Sequence, residues 1–226
     1  MTRLREAVRR RDDAGMTLVE LLVAMGIFTL VIAIFMGGVV MMTRGTVRAD
    51  VTSASGDSVR NVFQRLERQV RYAESVNYPG TGPSGATYVE FRTGAAVSST
   101  GQAMCTQWRW DPSSGDLQSR SWRDASGATV PPWSTVIGQV LADKLPEGSG
   151  PRPYPFQVLQ ADAGKNQPRQ RLVLRLRVGD DVADARVVSE TTFVARNSTI
   201  ASVSNADANN DGQSDTQVCV AGAGRP

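Results

Sequence analysis

Two stretches of this sequence hold residues whose types and spacing could do chemistry. The first is Gly15-Met16-Thr17-Leu18-Val19-Glu20, where a small residue precedes a short apolar-polar run that ends in a carboxylate. Glu20 stands one residue before a long uncharged segment, and a charge at the edge of a lipid-embedded helix costs several kcal/mol unless it is paired. Cleavage after Gly15 frees the α-amino group of Met16, which can serve as the counter-charge, within one chain or between neighbouring copies. Taken alone, Glu20 also admits a plainer reading, an interfacial carboxylate that reaches water. The second stretch is Asp207-Ala208-Asn209-Asn210-Asp211-Gly212-Gln213-Ser214-Asp215, with oxygen-bearing side chains at alternate positions. Hard cations take six to eight oxygen ligands. Calcium there would use the side chains of Asp207, Asn209, Asp211 and Asp215 and the backbone carbonyl of Gln213. The run departs from an EF-hand, which needs Glu at its twelfth position, occupied here by Val218. Asn, Asp, Ser and Gly also make solvated turns, so a polar tail is the alternative.

Other chemistry is poorly supplied. The chain contains no histidine, which removes the commonest general base and the commonest metal ligand. It has no G-x-S-x-G and no paired-carboxylate motif, so a non-enzymatic role is expected. Cys105 and Cys219 are the two cysteines and fit neither a C-x-x-C nor a zinc pattern. They form either a bridge or two free thiols, and a location outside the cytoplasm favours the bridge.

The elements that position these residues begin with Leu21 to Thr43, 23 residues without a charge, flanked by an Arg-rich stretch and by Arg44. A helix of that length spans a hydrocarbon core of about 30 Å. The preceding arginines favour a cytoplasmic N-terminus and an external body. An ordinary secretory signal is cut after its apolar region, beside small residues; here no A-x-A pattern follows Thr43, and the small residue precedes the apolar run. The formal charge of +3 also depends on residues 1–15. Without residues 1–15, 20 basic side chains face 19 acidic ones, so the pI does not argue for a nucleic-acid partner.

Gly15 through Glu20, followed by a membrane-length apolar run, resembles the class III signal of type IV prepilins and type II secretion pseudopilins. The resemblance covers residues 10 to about 45. It implies that a prepilin peptidase cuts between Gly15 and Met16 and methylates the Met16 amine, and that Glu20 docks neighbouring subunits. The implied partners are other pilin or pseudopilin subunits, the cytoplasmic membrane and an assembly platform. Met16 stands where many members of the family have Phe.

Beyond the membrane, Val59, Val62, Phe63, Leu66 and Val70 form an apolar stripe at helical spacing. The expected helix runs from Met16 to about Val76, its filament-core part over 16–43 and its amphipathic continuation over 44–77. Gly37-Gly38, Gly45 and Gly56 weaken it by about 1 kcal/mol each relative to Ala. The glycine pair allows either local melting or close helix contact.

An antiparallel sheet with one wet face is expected over 78–200, from Thr87–Arg92, Met104–Trp110, Leu117–Arg123, Leu172–Val178 and Arg186–Ala195, followed by a polar 201–226 segment. A short helix is expected at Val136–Leu145. The fold class is α+β, a long N-terminal transmembrane helix packed on an antiparallel sheet body, as the pilin resemblance also implies. The tryptophans Trp108, Trp110, Trp122 and Trp133 read as core before they read as a ligand platform. Arg171, Arg175, Arg177 and Arg186 form a basic stripe, either merely solvating or touching phosphates. The body is larger than a minimal major pseudopilin requires and resembles a minor subunit of the J or pilus W class. The rival readings are a membrane-anchored adhesin and a DNA- or ligand-binding protein, unprocessed or at a pilus tip.

Overall fold

A computed structural model describes residues 16–144, 153–182, 184–209, 214, 216–220 and 224–226. The chain divides into two compact units, the first ending at Val47 and the second comprising Arg48–Pro226. Helix α1 (Leu18–Arg71) begins in the first unit and ends in the second.

In the first unit, every described residue is exposed. An 18-residue window of α1 reaches a mean hydropathy of 2.7, so the apolar surface from Leu18 onward has no partner within the chain. The hydroxyls of Thr29 and Thr43 donate to the carbonyls of Gly26 and Val39, both at 2.9 Å, and that of Thr46 donates to Met42 at 3.1 Å. These polar groups are therefore satisfied by the helix itself, as a lipid environment demands. The helix continues unbroken through Gly37-Gly38. A Cβ at Gly26, Gly37, Gly38 or Gly45 would meet no atom of the chain within 4 Å; packing inside this chain does not require these glycines.

In the second unit, α1 lays Val59, Val62, Leu66 and Val70 against a β core, the stripe that the periodicity marks. Leu66 and Val70 are fully buried, and burying a leucine contributes roughly 1.5–3 kcal/mol. Phe63 packs edge-to-face on Phe193 at 5.9 Å. Two polar ties fix the helix on the sheet: Trp108 Nε1 donates to Gln69 Oε1 at 2.9 Å, and Arg65 Nη2 donates to Ser119 Oγ at 3.0 Å.

The helix stops at Arg71 instead of continuing to Val76. Ala73–Val76 is strand β1, paired antiparallel with β3 (Thr87–Thr93). The cause is tertiary. Arg196 N–H and Asn197 Nδ2 donate to the carbonyls of Arg71 and Tyr72 at 3.0 and 3.2 Å, capping the helix end. Val76 N–H is taken by Gln170 Oε1 at 2.9 Å, and the Ser75 hydroxyl meets that of Ser204 at 2.6 Å in a buried contact.

The strands form two sheets where one was expected. The larger has the order β1-β3-β4-β5-β6, with β4 Met104–Asp111, β5 Asp116–Arg123 and β6 Ser134–Ile137, while the short β2 (Gly80–Thr81) pairs with β3. The smaller has the order β7-β8-β9, with β7 Phe156–Leu159, β8 Arg171–Asp180 and β9 Ala185–Val194. All pairings are antiparallel. Asp111–Asp116 closes the β4–β5 hairpin, with Gly115 at φ 71° where a side chain would be strained. Gly179, at φ 142°, is needed for a second reason: a Cβ there would collide with the Ala185 carbonyl across the β8–β9 ladder.

The expected helix at Val136–Leu145 is absent from its described residues. Ser134–Ile137 is β6, and the following residues reach β8. Val140 bridges Val178, Leu141 N–H donates to Arg177 O at 2.7 Å, and Gly179 N–H donates to Gln139 O at 3.1 Å. This segment links the two sheets and lies along the end of β8, where the buried Arg177 donates from Nη1 to the Ala142 carbonyl at 3.2 Å.

Candidate functional site

At the start of α1, Thr17 is the helix cap: its Oγ1 accepts the Glu20 N–H at 3.2 Å and its carbonyl accepts the Leu21 N–H at 3.1 Å. Glu20 is the third helical residue, so Thr17-Leu18-Val19-Glu20 has the spacing of a capping box. The T-x-x-E signal is present in the sequence, and it gives Glu20 a local role at the helix start. A carboxylate in the first turn is favoured by the helix dipole, by about 0.3–1 kcal/mol at an exposed position. Met16 and Glu20 are both exposed, so the methionine and the carboxylate are open to a partner. Gly15 and the leader lie outside the described residues.

In the body, Cys105 on β4 and Cys219 are joined by a disulfide, with Cα atoms 5.9 Å apart. Trp122, Val218, Ala128 and Val130 pack around it as a second hydrophobic cluster. The segment after the bridge is fastened to the sheet face that points away from α1. Val220 N–H donates to Asp124 Oδ1 at 2.7 Å, Gln107 Nε2 donates to the Gly224 carbonyl at 2.9 Å, and Arg225 pairs with Glu90 at 2.6 Å.

The tryptophans divide by face. Trp108 and Trp110 belong to the core under α1, with Trp110 Nε1 donating to the Val140 carbonyl at 3.2 Å. Trp122 packs at the disulfide, and Trp133 lies half-buried beside Arg109 and Arg120. The expected basic stripe is largely neutralised by carboxylates. Arg175 faces Asp143 at 3.6 Å and Glu190 at 4.0 Å; the buried Arg177 pairs with Asp181, and Arg186 with Asp184. These partners arrive from 139–144, the β8–β9 turn and β9 itself, so the arginines do not present a row of free charges.

Asp181 lies between two cations. The Lys144 ammonium, at 2.8 Å, and then the Arg177 guanidinium hold its carboxyl below the usual aspartate range. Burial pushes the Tyr154 phenol up to about 12, and its hydroxyl donates to the Leu141 carbonyl at 2.6 Å. Both groups help fasten the linking segment to β8.

Of the candidate calcium ligands, Asp207 and Asn209 follow a short turn at Val203–Asn205. Asp211, Gln213 and Asp215 lie outside the described residues. Among the described residues, no group of three or more His, Cys, Asp or Glu side chains is placed to hold a metal ion.

A membrane-length N-terminal helix whose second half packs on antiparallel sheets is the pilin-like α+β architecture. Residues 10–41 match the family described as the prokaryotic N-terminal methylation motif. That match supports a type IV pilin or pseudopilin type of protein. No curated protein and no solved structure matches the chain.

Proposed function

We propose that this chain is a minor pilin or pseudopilin, a structural subunit of a type IV pilus-like or type II secretion-like filament, and not an enzyme. Prepilin peptidase cuts between Gly15 and Met16 and the new Met16 amine is methylated. The observation that carries this reading is the conjunction in the first part of α1: a first-turn carboxylate at Glu20, followed by apolar residues that are all exposed as far as Val47, inside the matched methylation motif. So much apolar surface is stable only in lipid or against other helices. Before assembly α1 anchors the precursor in the cytoplasmic membrane, N-terminus inside and body outside, an orientation that the leader arginines and the oxidised Cys105–Cys219 pair support. In the filament, Glu20 meets the Met16 amine of a neighbour and sets the axial register.

The test is incorporation into filaments. Coexpressed with prepilin peptidase and sister subunits, the wild-type chain is expected in the sheared filament fraction. Glu20→Ala is expected to be processed yet retained in the membrane. Equal incorporation of both chains would remove the docking role, and absence of the wild type from filaments that do assemble would remove the subunit assignment.

A further inference from the structure

On the face of the larger sheet turned away from α1, β3, β4 and β5 set side chains in rows. Tyr88 faces Arg109 and Gln118, and the next row on that face is Glu90, Gln107 and Arg120. Arg109 and Arg120 are therefore diagonal neighbours on adjacent strands, close enough to interact. Trp133, held by Pro131-Pro132 just before β6, places its ring against both: the guanidinium carbons lie 4.4 Å (Arg109) and 3.9 Å (Arg120) from the ring centroid. Tyr88 closes one side, its ring centroid 6.0 Å from that of Trp133.

Two like charges on one indole call for a direct counter-charge; Glu90 acts on Arg120, and Arg109 on Asp111, only through space, without an ion pair. Neither guanidinium has a carboxylate within 4.0 Å among the described residues. Both are held by neutral amides instead: Arg109 Nε donates to Gln118 Oε1 at 2.6 Å, and Arg120 Nε and Nη2 donate to Gln107 Oε1 at 2.9 and 2.7 Å. The carboxylate in the same rows, Glu90, is turned to Arg225, Asn77 and Gln107. Burial, and then the charge of Arg109, lower the pKa of Arg120. Both Nη groups of Arg109, Nη1 of Arg120 and the Trp133 N–H make no hydrogen bond to a described residue.

We propose that Arg109, Arg120 and Trp133 form a binding site for an oxyanion, a phosphate or carboxylate group presented by an external ligand. Such a group supplies a directly bonded counter-charge and accepts charge-assisted hydrogen bonds from pre-oriented guanidiniums. The glutamine cradle fixes the forks before binding, so little side-chain freedom is lost on capture. The inference stands apart from the filament assignment, because it uses no residue of α1.

The experiment uses the full chain in detergent micelles at constant ionic strength. Phenylglyoxal modification is followed residue by residue by peptide mass spectrometry, in chloride, inorganic phosphate or glucuronate, with exposed Arg60 as the internal reference. The expected result is at least fivefold slower modification of Arg109 and Arg120, but not Arg60, in phosphate or glucuronate; whichever anion protects identifies the headgroup as phosphate or carboxylate. In calorimetric titrations with the protecting anion, Arg109→Gln and Arg120→Gln are each expected to weaken binding at least tenfold, with their thermal unfolding checked in parallel. Protection no greater than at Arg60 for both anions, or undiminished binding by both folded variants, overturns the site.

Discussion

Replacing Cys105 and Cys219 with serine removes the one covalent tie between the sheet and the segment that crosses its outer face. The bridge closes a loop with a sequence separation of 114 residues. For a loop near 100 residues the chain-entropy model gives about 4.7 kcal/mol of stabilisation, acting on the unfolded chain. A domain of this size loses about 2–4 °C of melting temperature per kcal/mol. The double variant should therefore melt roughly 10–20 °C below the oxidised wild type. The fold itself should survive, because β3, β4 and β5 remain paired along their full lengths and the main core under α1 contains neither cysteine. Trp122 reports the local change, since it packs against both half-cystines. The assay is far-ultraviolet circular dichroism of the full chain in detergent, read during heating, with tryptophan emission recorded alongside. A fall below about 1 kcal/mol, or about 2–4 °C, with unchanged emission would refute the reasoning and assign the fastening to the Val220, Gly224 and Arg225 contacts.

Leu66→Ala empties the centre of the helix–sheet interface and should cost about 2–5 kcal/mol, measured as a shift in the urea midpoint at constant slope. Asp181 has its folded pKa depressed by Lys144 and Arg177, so its contribution is complete above the ordinary aspartate value of about 3.9 and is lost as pH falls through the lowered folded value. Asp181→Asn should accordingly melt below the wild type near pH 6, and the difference should narrow as the pH falls below the ordinary aspartate value; a difference unchanged between pH 6 and the most acid pH at which the fold survives would contradict the ion-pair account. Calcium binding by the Asp207–Asp215 run predicts a calcium-dependent rise in melting temperature that Asp211→Ala abolishes; an unchanged response in that variant removes the assignment.

What could be read from the sequence was what local spacing decides. The stripe Val59, Val62, Phe63, Leu66 and Val70 has the helical period and packs as that period requires. Thr87–Arg92, Met104–Trp110 and Leu117–Arg123 correspond within a residue to β3, β4 and β5 because alternation and the Asp111–Asp116 turn are local signals. Ala73–Val76 has helical spacing, since its apolar residues Ala73 and Val76 continue the three-residue interval from Val70, yet it is strand β1. Its strand state depends on Phe91, Arg92 and the side chain of Gln170, none of them near in sequence. Val136, Ile137, Val140 and Leu141 likewise have helical spacing, but pairing with β5 and β8 overrides it. Charge partners were the least legible. Arg175 is answered by Asp143 and Arg177 by Asp181, while Arg109 and Arg120 meet over Trp133 only after three strands have paired. At the N-terminus the Gly15–Glu20 spacing is readable, and so is the Thr17 cap, because both are local in sequence.

The central claim rests on one peptide bond. Coexpression of the full chain with a prepilin peptidase, followed by intact mass and N-terminal sequencing, tests it directly. The account predicts a chain beginning at Met16 and carrying one added methyl group on its amine, with Gly15→Val left at precursor mass. A mature N-terminus at any other residue, or a Gly15→Val chain cut as readily as the wild type, would contradict it.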